Sequence, residues 1–269
     1  MIRIGKLEVE QGHFPDNTLL TKFDPYGMYD RHGNQIIFEW LYEDDSELFT
    51  LICLKKHIDQ YFPTACMILD MPYIPHARMD RTKSNHDVFT LKYFCEVINS
   101  LNFRIVWVRD AHSNVSLALL DRVKEEGAGE WIGHAIANSG ANALFFPDEG
   151  AMKRYSDKAI LPYAFGMKKR DWETGKILGL DIINTENIVG KHVLIVDDIC
   201  SRGGTFYHSA KALKEAGAAS VELYVTHLEK TVLDGELPHS DLIDHIYTTE
   251  SIFPATLEKE NEDFITVMR

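Results

Sequence analysis

Asp197 and Asp198 stand side by side at the end of an apolar run, residues 193–196, and the turn Ser201-Arg202-Gly203-Gly204-Thr205 follows almost at once. Adjacent carboxylates accept hydrogen bonds from vicinal hydroxyls, as on a ribose, or hold a metal-bound sugar. A glycine turn between a strand and a helix lines backbone N–H groups around a concave nest that suits a phosphate. Thr205 can add its hydroxyl to that nest. The plain alternative is a strand followed by an ordinarily capped helix, and an acid pair beside Gly-Gly-Thr argues against it. The turn lacks the Gly-Lys-Ser/Thr of a Walker A loop.

These residues need a strand to carry them. Short β-branched runs alternate with helix-length segments along the whole chain: "QIIFEW" (35–40), "ACMILDMPYI" (65–74), "FRIVWVRD" (103–110), "NALFFPDEG" (142–150), "KAILPYAFG" (158–166), "HVLIVDD" (192–198) and "SVELYVTH" (220–227). Between them lie amphipathic stretches at 44–60 and 87–101 and the helix-length "NVSLALLDRVKEE" (114–126). This alternation predicts an α/β fold with parallel sheets. Ligands bind such sheets beyond the carboxyl ends of the strands, and several of these strands end in an acid or a histidine. The segment "VKEEGAGE" (123–130) is a candidate boundary between two α/β halves. The polar, basic stretch 78–86, "RMDRTKSNH", reads as a mobile or simply solvated loop.

The 269 residues are 45% hydrophobic and 26% charged, ordinary for a soluble globular chain. The formal charge of -13 argues against nucleic-acid and anionic-membrane partners, though not against small phosphorylated substrates. No apolar run approaches the roughly 20 residues of a membrane span, and the N-terminus lacks a signal-peptide core. Cys53, Cys66, Cys95 and Cys200 form no Cys-x-x-Cys pair, so reduced thiols and a cytoplasmic location are expected.

The acid pair and glycine turn resemble the phosphoribosyl-diphosphate loop of the phosphoribosyltransferase fold. Further stretches resemble the ribose-phosphate diphosphokinase (PRPP synthetase) family, in that family's order. They are "EQGHFPDNT" (10–18), the Pro-Tyr segment "MPYIPHARMDR" (71–81), "VRDAHSN" (108–114), "FPDEGAMKR" (146–154), "MKKR" (167–170) and the Thr-His segment "VTHLEKTVLDG" (225–235). The resemblance implies two phosphoribosyltransferase-like domains, each a mostly parallel sheet flanked by helices, with the site between them. Residues 1–125 would carry the ATP-binding segment and 126–269 the ribose-phosphate loop.

By the same resemblance Arg78, Asp80, Arg81 and His112 bind ATP, with Phe14 and Asp16 reaching the adenine of a neighbouring subunit's ATP. His112 and Asp148 serve Mg2+, while Lys168, Arg170 and His112 are catalytic. Asp197, Asp198 and Ser201 to Thr205 hold the phosphorylated ribose. The implied reaction moves a diphosphate from Mg-ATP to an anomeric hydroxyl and releases AMP, in a homo-oligomer of at least two subunits. Each residue also has a plain reading: surface bases for Arg78 and Arg81, a structural His112, a turn-forming Asp148 after Pro147, a charged loop at 168–171, and an edge strand with a turn at 14–16. Two other functions stay open, a phosphoribosyltransferase that consumes the activated sugar and a non-catalytic regulatory relative.

The chain departs from the family pattern in ways that bear on function. The family's first strand and helix and its last helix have no counterpart here. Thr18 stands where a Glu is expected after Asp16, and Met79 where a Gln follows Arg78. In the phosphate turn Ser201 replaces an Asp and Arg202 a Thr. One negative charge lost and a planar cation gained favour an acceptor with more negative charge at its 5 end. ADP-ribose, whose free ribose keeps the anomeric hydroxyl, fits that expectation. The resemblance extends to an ADP-ribose pyrophosphate synthetase branch known from phage pathways that rebuild NAD.

Overall fold

The computed structural model describes residues 1–5, 7–27, 35–158, 160–170 and 177–269, without the side chains of 168–170 and 177–180. The chain divides into two compact units, Met1–Glu126 and Gly127–Arg269. No helix among the described residues is long and apolar enough to cross a membrane.

The first unit opens with β1 (Ile2–Ile4) and β2 (Leu7–Glu8), then a hairpin of β3 (Glu10–His13) and β4 (Leu19–Lys22). Next come β5 (Gln35–Trp40), helix α1 (Ser46–Tyr61), β6 (Cys66–Asp70), α2 (Thr90–Ser100), β7 (Ile105–Arg109), α3 (Asn114–Leu119) and β8 (Val123–Glu126). Its main sheet has the order β2-β1-β5-β6-β7-β8. β5 to β8 pair in parallel, while β1 and β2 add on antiparallel.

Period explains the packing of this unit. Leu91, Phe94, Cys95 and Ile98 recur at helical spacing and form the buried stripe of α2. They meet Leu51, Leu54 and Ile58 of α1 and the inward side chains of the strands, Phe38, Trp40, Leu69, Val106 and Val108. Each such side chain contributes about 1.5–3 kcal/mol on burial. The helix-length stretch 114–126 does not stay helical. α3 stops at Leu119, and Val123 pairs with Val106 to start an edge strand. Helix propensities differ by at most ~0.7 kcal/mol per residue among ordinary side chains, too little to outweigh a place beside β7. The exposed Lys124, Glu125 and Glu126 keep that edge from pairing further.

The second unit contains α4 (Gly129–Ser139), β9 (Ala143–Phe146), α5 (Glu149–Tyr155), β10 (Tyr163–Arg170) and β11 (Ile177–Ile183). These are followed by β12 (His192–Cys200), α6 (Gly204–Glu215), β13 (Ser220–Leu228), β14 (Ile246–Thr249), α7 (Ala255–Glu260) and β15 (Ile265–Met268). The sheet order is β11-β10-β9-β12-β13-β14-β15, parallel except for the β10–β11 hairpin. Val193 to Val196 are at most 1% exposed, as a strand covered on both faces must be. Val193 and Ile195 face Phe206, Ala210 and Leu213 of α6. Leu194 and Val196 join the opposite cluster with Ile132 and Ala135 of α4 and Ala151 and Tyr155 of α5. The strand expected at 158–166 begins only at Tyr163, and the four-residue β14 and β15 carry too little pattern to be read in advance.

Candidate active site

Past Val196 the alternation of β12 continues into the acid pair. Asp198 is buried and follows Leu194 and Val196 toward the α5 side, where Arg154 Nη1 lies 3.5 Å from its Oδ2. The Asp198 N–H donates to Asp197 Oδ1 at 3.0 Å. Burial first, then the charges of Asp198 and Asp148, lift the Asp197 carboxyl well above the usual range. Asp148 therefore acts on this pair although it precedes it by a whole crossover. It also caps α5, its Oδ1 accepting the Ala151 N–H at 3.1 Å. The turn-forming and the ligand-binding readings of Asp148 are thus compatible.

The turn that follows is built by close approach. Gly203 sits at φ 79°, and a Cβ there would overlap the Leu237 side chain. Both facts require glycine. A Cβ on Gly235 would overlap the Arg202 carbonyl oxygen, so the segment around 235–237 presses directly on the back of the turn. On the other side a Cβ added at Gly204 meets no protein atom within 4 Å. α6 begins there with no side chain capping its first turn. Its leading N–H groups stand at an open position with the positive end of the helix behind them.

Ser201 is taken up by the protein itself. Its hydroxyl donates to Glu229 Oε2 at 2.7 Å, and Thr231 Oγ1 donates to the same oxygen at 3.2 Å. Parallel pairing of β12 with β13 ends at Cys200 opposite Leu228, and the Glu229 N–H continues the ladder to the Cys200 carbonyl at 2.8 Å. That register sets Glu229 beside Ser201. The acid absent at 201 thus returns from the neighbouring strand, and the sequence reading missed it. Arg202 is exposed, and among the described residues its guanidinium has no hydrogen-bond or ion-pair partner.

The Thr-His segment is structural. The Thr226 carbonyl accepts from the hydroxyls of Thr248 at 3.3 Å, Thr249 at 2.9 Å and Ser251 at 3.2 Å. His227 Nδ1 lies 3.0 Å from Ser251 Oγ. All five are buried, and the network answers their polarity.

In the first unit, residues 71–75 and Ala77 are buried and anchor the segment that follows β6, leaving Arg78 exposed at its turn. His76 adopts φ 62°, its Nε2 lying 3.1 Å from Asp45 Oδ1. Arg81 Nε donates to Asp80 Oδ1 at 3.0 Å. In the stretch 78–86, Asp87 Oδ2 accepts the N–H groups of Lys83 at 2.6 Å and Ser84 at 2.9 Å, which holds its carboxyl below the usual range. His112 is half-buried after β7, in a turn fixed by β8. The Asp110 N–H donates to the Glu126 carbonyl at 2.8 Å, and the Ala111 N–H to Glu125 Oε1 at 2.9 Å. Phe14 and Asp16 lie at the β3–β4 connection. Asp16 Oδ1 accepts from the Thr18 N–H at 3.0 Å and the Thr18 hydroxyl at 2.7 Å, and these bonds lower its pKa. Thr18, the departure from the expected Glu, is therefore the partner of Asp16. Phe14 is 50% exposed.

Lys168 and Arg170 have their backbones in β10, opposite Leu180 and Ile177 of β11, and their side chains lie outside the described residues. Among the described residues no three His, Cys, Asp or Glu side chains gather to hold a metal ion unaided. Mg2+ commonly binds through one or two carboxylates, with waters and substrate phosphates completing its shell. Carboxylates such as Asp148 and Asp197, which raise one another's cost of ionisation, suit that donor set. The four cysteines are free thiols.

Comparison with known proteins agrees with this architecture. Residues 153–253 match the phosphoribosyl transferase domain family. The ribose-phosphate pyrophosphokinase of Thermoplasma volcanium is 27% identical over 253 residues, covering 91% of this chain and 84% of that protein. That of Pyrococcus abyssi is 28% identical over 231 residues, covering 82% and 76%. The crystal structure of phosphoribosylpyrophosphate synthetase from Mycobacterium smegmatis superposes with a TM-score of 0.75 at 17% identity, over 97% of this chain and 85% of that one, and so shares its fold. With the ordered motifs, these matches make the chain similar to the ribose-phosphate pyrophosphokinases, or PRPP synthetases, along most of its length.

Proposed function

We propose that the protein transfers the β,γ-diphosphate of Mg-ATP to the anomeric hydroxyl of a ribose phosphorylated at its 5 position, releasing AMP. The observation that carries this reading is the β12–α6 turn, with the acid pair on one side and uncapped N–H groups at an open glycine on the other. In it Asp197 and Asp198 accept hydrogen bonds from the ribose hydroxyls, and the N–H groups and Thr205 cradle the 5-phosphate. Arg78, Asp80, Arg81 and His112 bind ATP, with Phe14 and Asp16 completing the site across a subunit interface. Lys168 and Arg170 neutralise charge on the diphosphate in flight. His112 would serve the Mg-ATP complex, and Asp148 a second Mg2+ or the ribose, and the metal would supply further charge neutralisation. The protein's part is positioning and preorganised charge.

For the acceptor the finer proposal is ADP-ribose. Glu229 restores the acid missing at 201, so this choice rests on Arg202 alone, a planar cation that is exposed and without a partner among the described residues. The experiment is AMP release from Mg-ATP with ribose 5-phosphate and ADP-ribose in competition. Metal-dependent AMP release is expected, with the higher kcat/KM for ADP-ribose. No AMP with either acceptor removes the diphosphokinase reading, and a consumer of PRPP would show that outcome. Preference for ribose 5-phosphate removes only the finer one. Lys168→Ala should cost about 2.7 kcal/mol of transition-state stabilisation, roughly a hundredfold in kcat/KM. Static light scattering of the active protein tests assembly, and an active monomer would exclude the shared ATP site.

A further inference from the structure

We infer that Glu229, a residue outside every motif of the phosphate turn, is a positioning residue for that turn: it holds Ser201 as an acceptor and supplies the turn's carboxylate from the neighbouring strand. This rests on the reading of residues 201–205 as the acceptor-phosphate loop.

A carboxylate only accepts hydrogen bonds, and a serine hydroxyl has a single hydrogen to give. At 2.7 Å that hydrogen points to Glu229 Oε2, and the Thr231 hydroxyl, 3.3 Å from Ser201 Oγ, points to the same oxygen. Ser201 thus turns only lone pairs outward. A phosphate oxygen gains nothing from it and must take its hydrogen bonds from backbone N–H groups, Thr205 and Arg202. The half-buried Glu229 is itself held by the ladder bond from its N–H to the Cys200 carbonyl. Together with Gly235 behind the Arg202 carbonyl and Leu237 behind Gly203, it fixes the turn from the β13 side.

An acid at 201 and an acid at 229 are therefore mutually exclusive. Ser201→Asp would set two carboxylates at contact distance in a half-buried place. Removing the charge at 229 would make room for it.

The test compares the wild type, Ser201→Asp, Glu229→Gln and the double variant Ser201→Asp/Glu229→Gln as full-length proteins. Ser201→Asp is expected to raise the acceptor KM at least tenfold with the KM for ATP within twofold of wild type. The double variant is expected to return the acceptor KM to within threefold. Glu229→Gln alone, whose amide can donate to Ser201 and turn its hydrogen outward, is expected to shift the acceptor KM and not that of ATP. The inference is overturned if Ser201→Asp is neutral, if the double variant is no better than the single, or if both KM values move together. The second readout needs no turnover: the rise in Tm produced by ribose 5-phosphate or ADP-ribose alone. Wild type and double variant should be stabilised and Ser201→Asp should not. If the wild type releases no AMP yet shows this pattern, the diphosphokinase reading fails and the role of Glu229 stands. If the wild type releases AMP and Ser201→Asp is neutral, the diphosphokinase reading stands and the role of Glu229 fails. A wild type stabilised by neither ligand and inactive with both overturns the two together.

Discussion

In the second unit the chain leaves β12 and enters α6 through Gly203 at φ 79°; in the first it leaves β7 and approaches α3 through Asp110 at φ 41°. Both turns need the left-handed region, which costs an L residue roughly 1–2 kcal/mol and glycine almost nothing. The difference lies in what happens to the N–H groups. In the first unit those of Asp110 and Ala111 are bonded to β8, through the Glu126 carbonyl and Glu125 Oε1. In the second, α6 starts uncapped over open space at Gly204. One turn leaves the N–H groups of its helix start uncapped, and the other commits its backbone donors to its own sheet. The residues that the resemblance puts forward in the first unit, Arg78, Arg81 and His112, would meet an anion with side chains instead. Helix length follows the same division, 12 residues in α6 against 6 in α3.

The strongest way to break the comparison is Gly235→Ala. The added methyl overlaps the Arg202 backbone, which cannot move without the whole turn, so about 3 kcal/mol of stability should be lost. Urea denaturation measures it, and a loss below about 1 kcal/mol would mean the turn is not held from behind. Gly203→Ala comes next, at roughly 2 kcal/mol, because it combines the left-handed backbone with overlap onto a side chain that can partly yield. Its acceptor KM should rise while that for ATP stays near wild type. A change confined to ATP would reverse the assignment of the two turns.

Asp110 gives the opposite test. There Asp110→Gly should be more stable than Asp110→Ala by about 1 kcal/mol, since only the alanine keeps the left-handed cost without the side chain's contacts. Equal stabilities would show that the φ of 41° carries no strain.

The smallest effect concerns Asp70, at the carboxyl end of β6. Burial raises its carboxyl to about 6; Arg109 opposes this, and Glu39 and Glu126 add to it. The folded state therefore keeps a proton that the unfolded chain releases near pH 4. Asp70's favourable contribution is complete below about pH 4 and is lost as pH rises through about 6. Discounted for partial exposure, the change is under ~1 kcal/mol. Asp70→Asn should match the wild type near pH 4 and exceed its Tm by about 2 °C at about pH 7.5. A Tm difference independent of pH would remove the linkage.

The sequence by itself determined the features that are local. Four apolar residues ending in Asp197-Asp198 required a strand with buried faces and an acidic end, and Gly203-Gly204 marked a tight turn, which excludes a side chain at Gly203. The spacing of Leu91, Phe94, Cys95 and Ile98 required the α2 stripe. Periodicity and glycine chemistry act over a few residues, so they are written where they act. The tertiary structure alone decided what stands beside the turn. Glu229 meets Ser201 because β12 and β13 pair with a constant offset of 28 residues. That register is selected by the summed burial of two strands and the span of α6, and no single residue encodes it. The charge of Asp148 is felt at Asp197, Gly235 backs Arg202, and residues 123–126 become a strand for the same reason. Each depends on partners distant in the chain, whose packing outweighs the modest preferences of the local sequence.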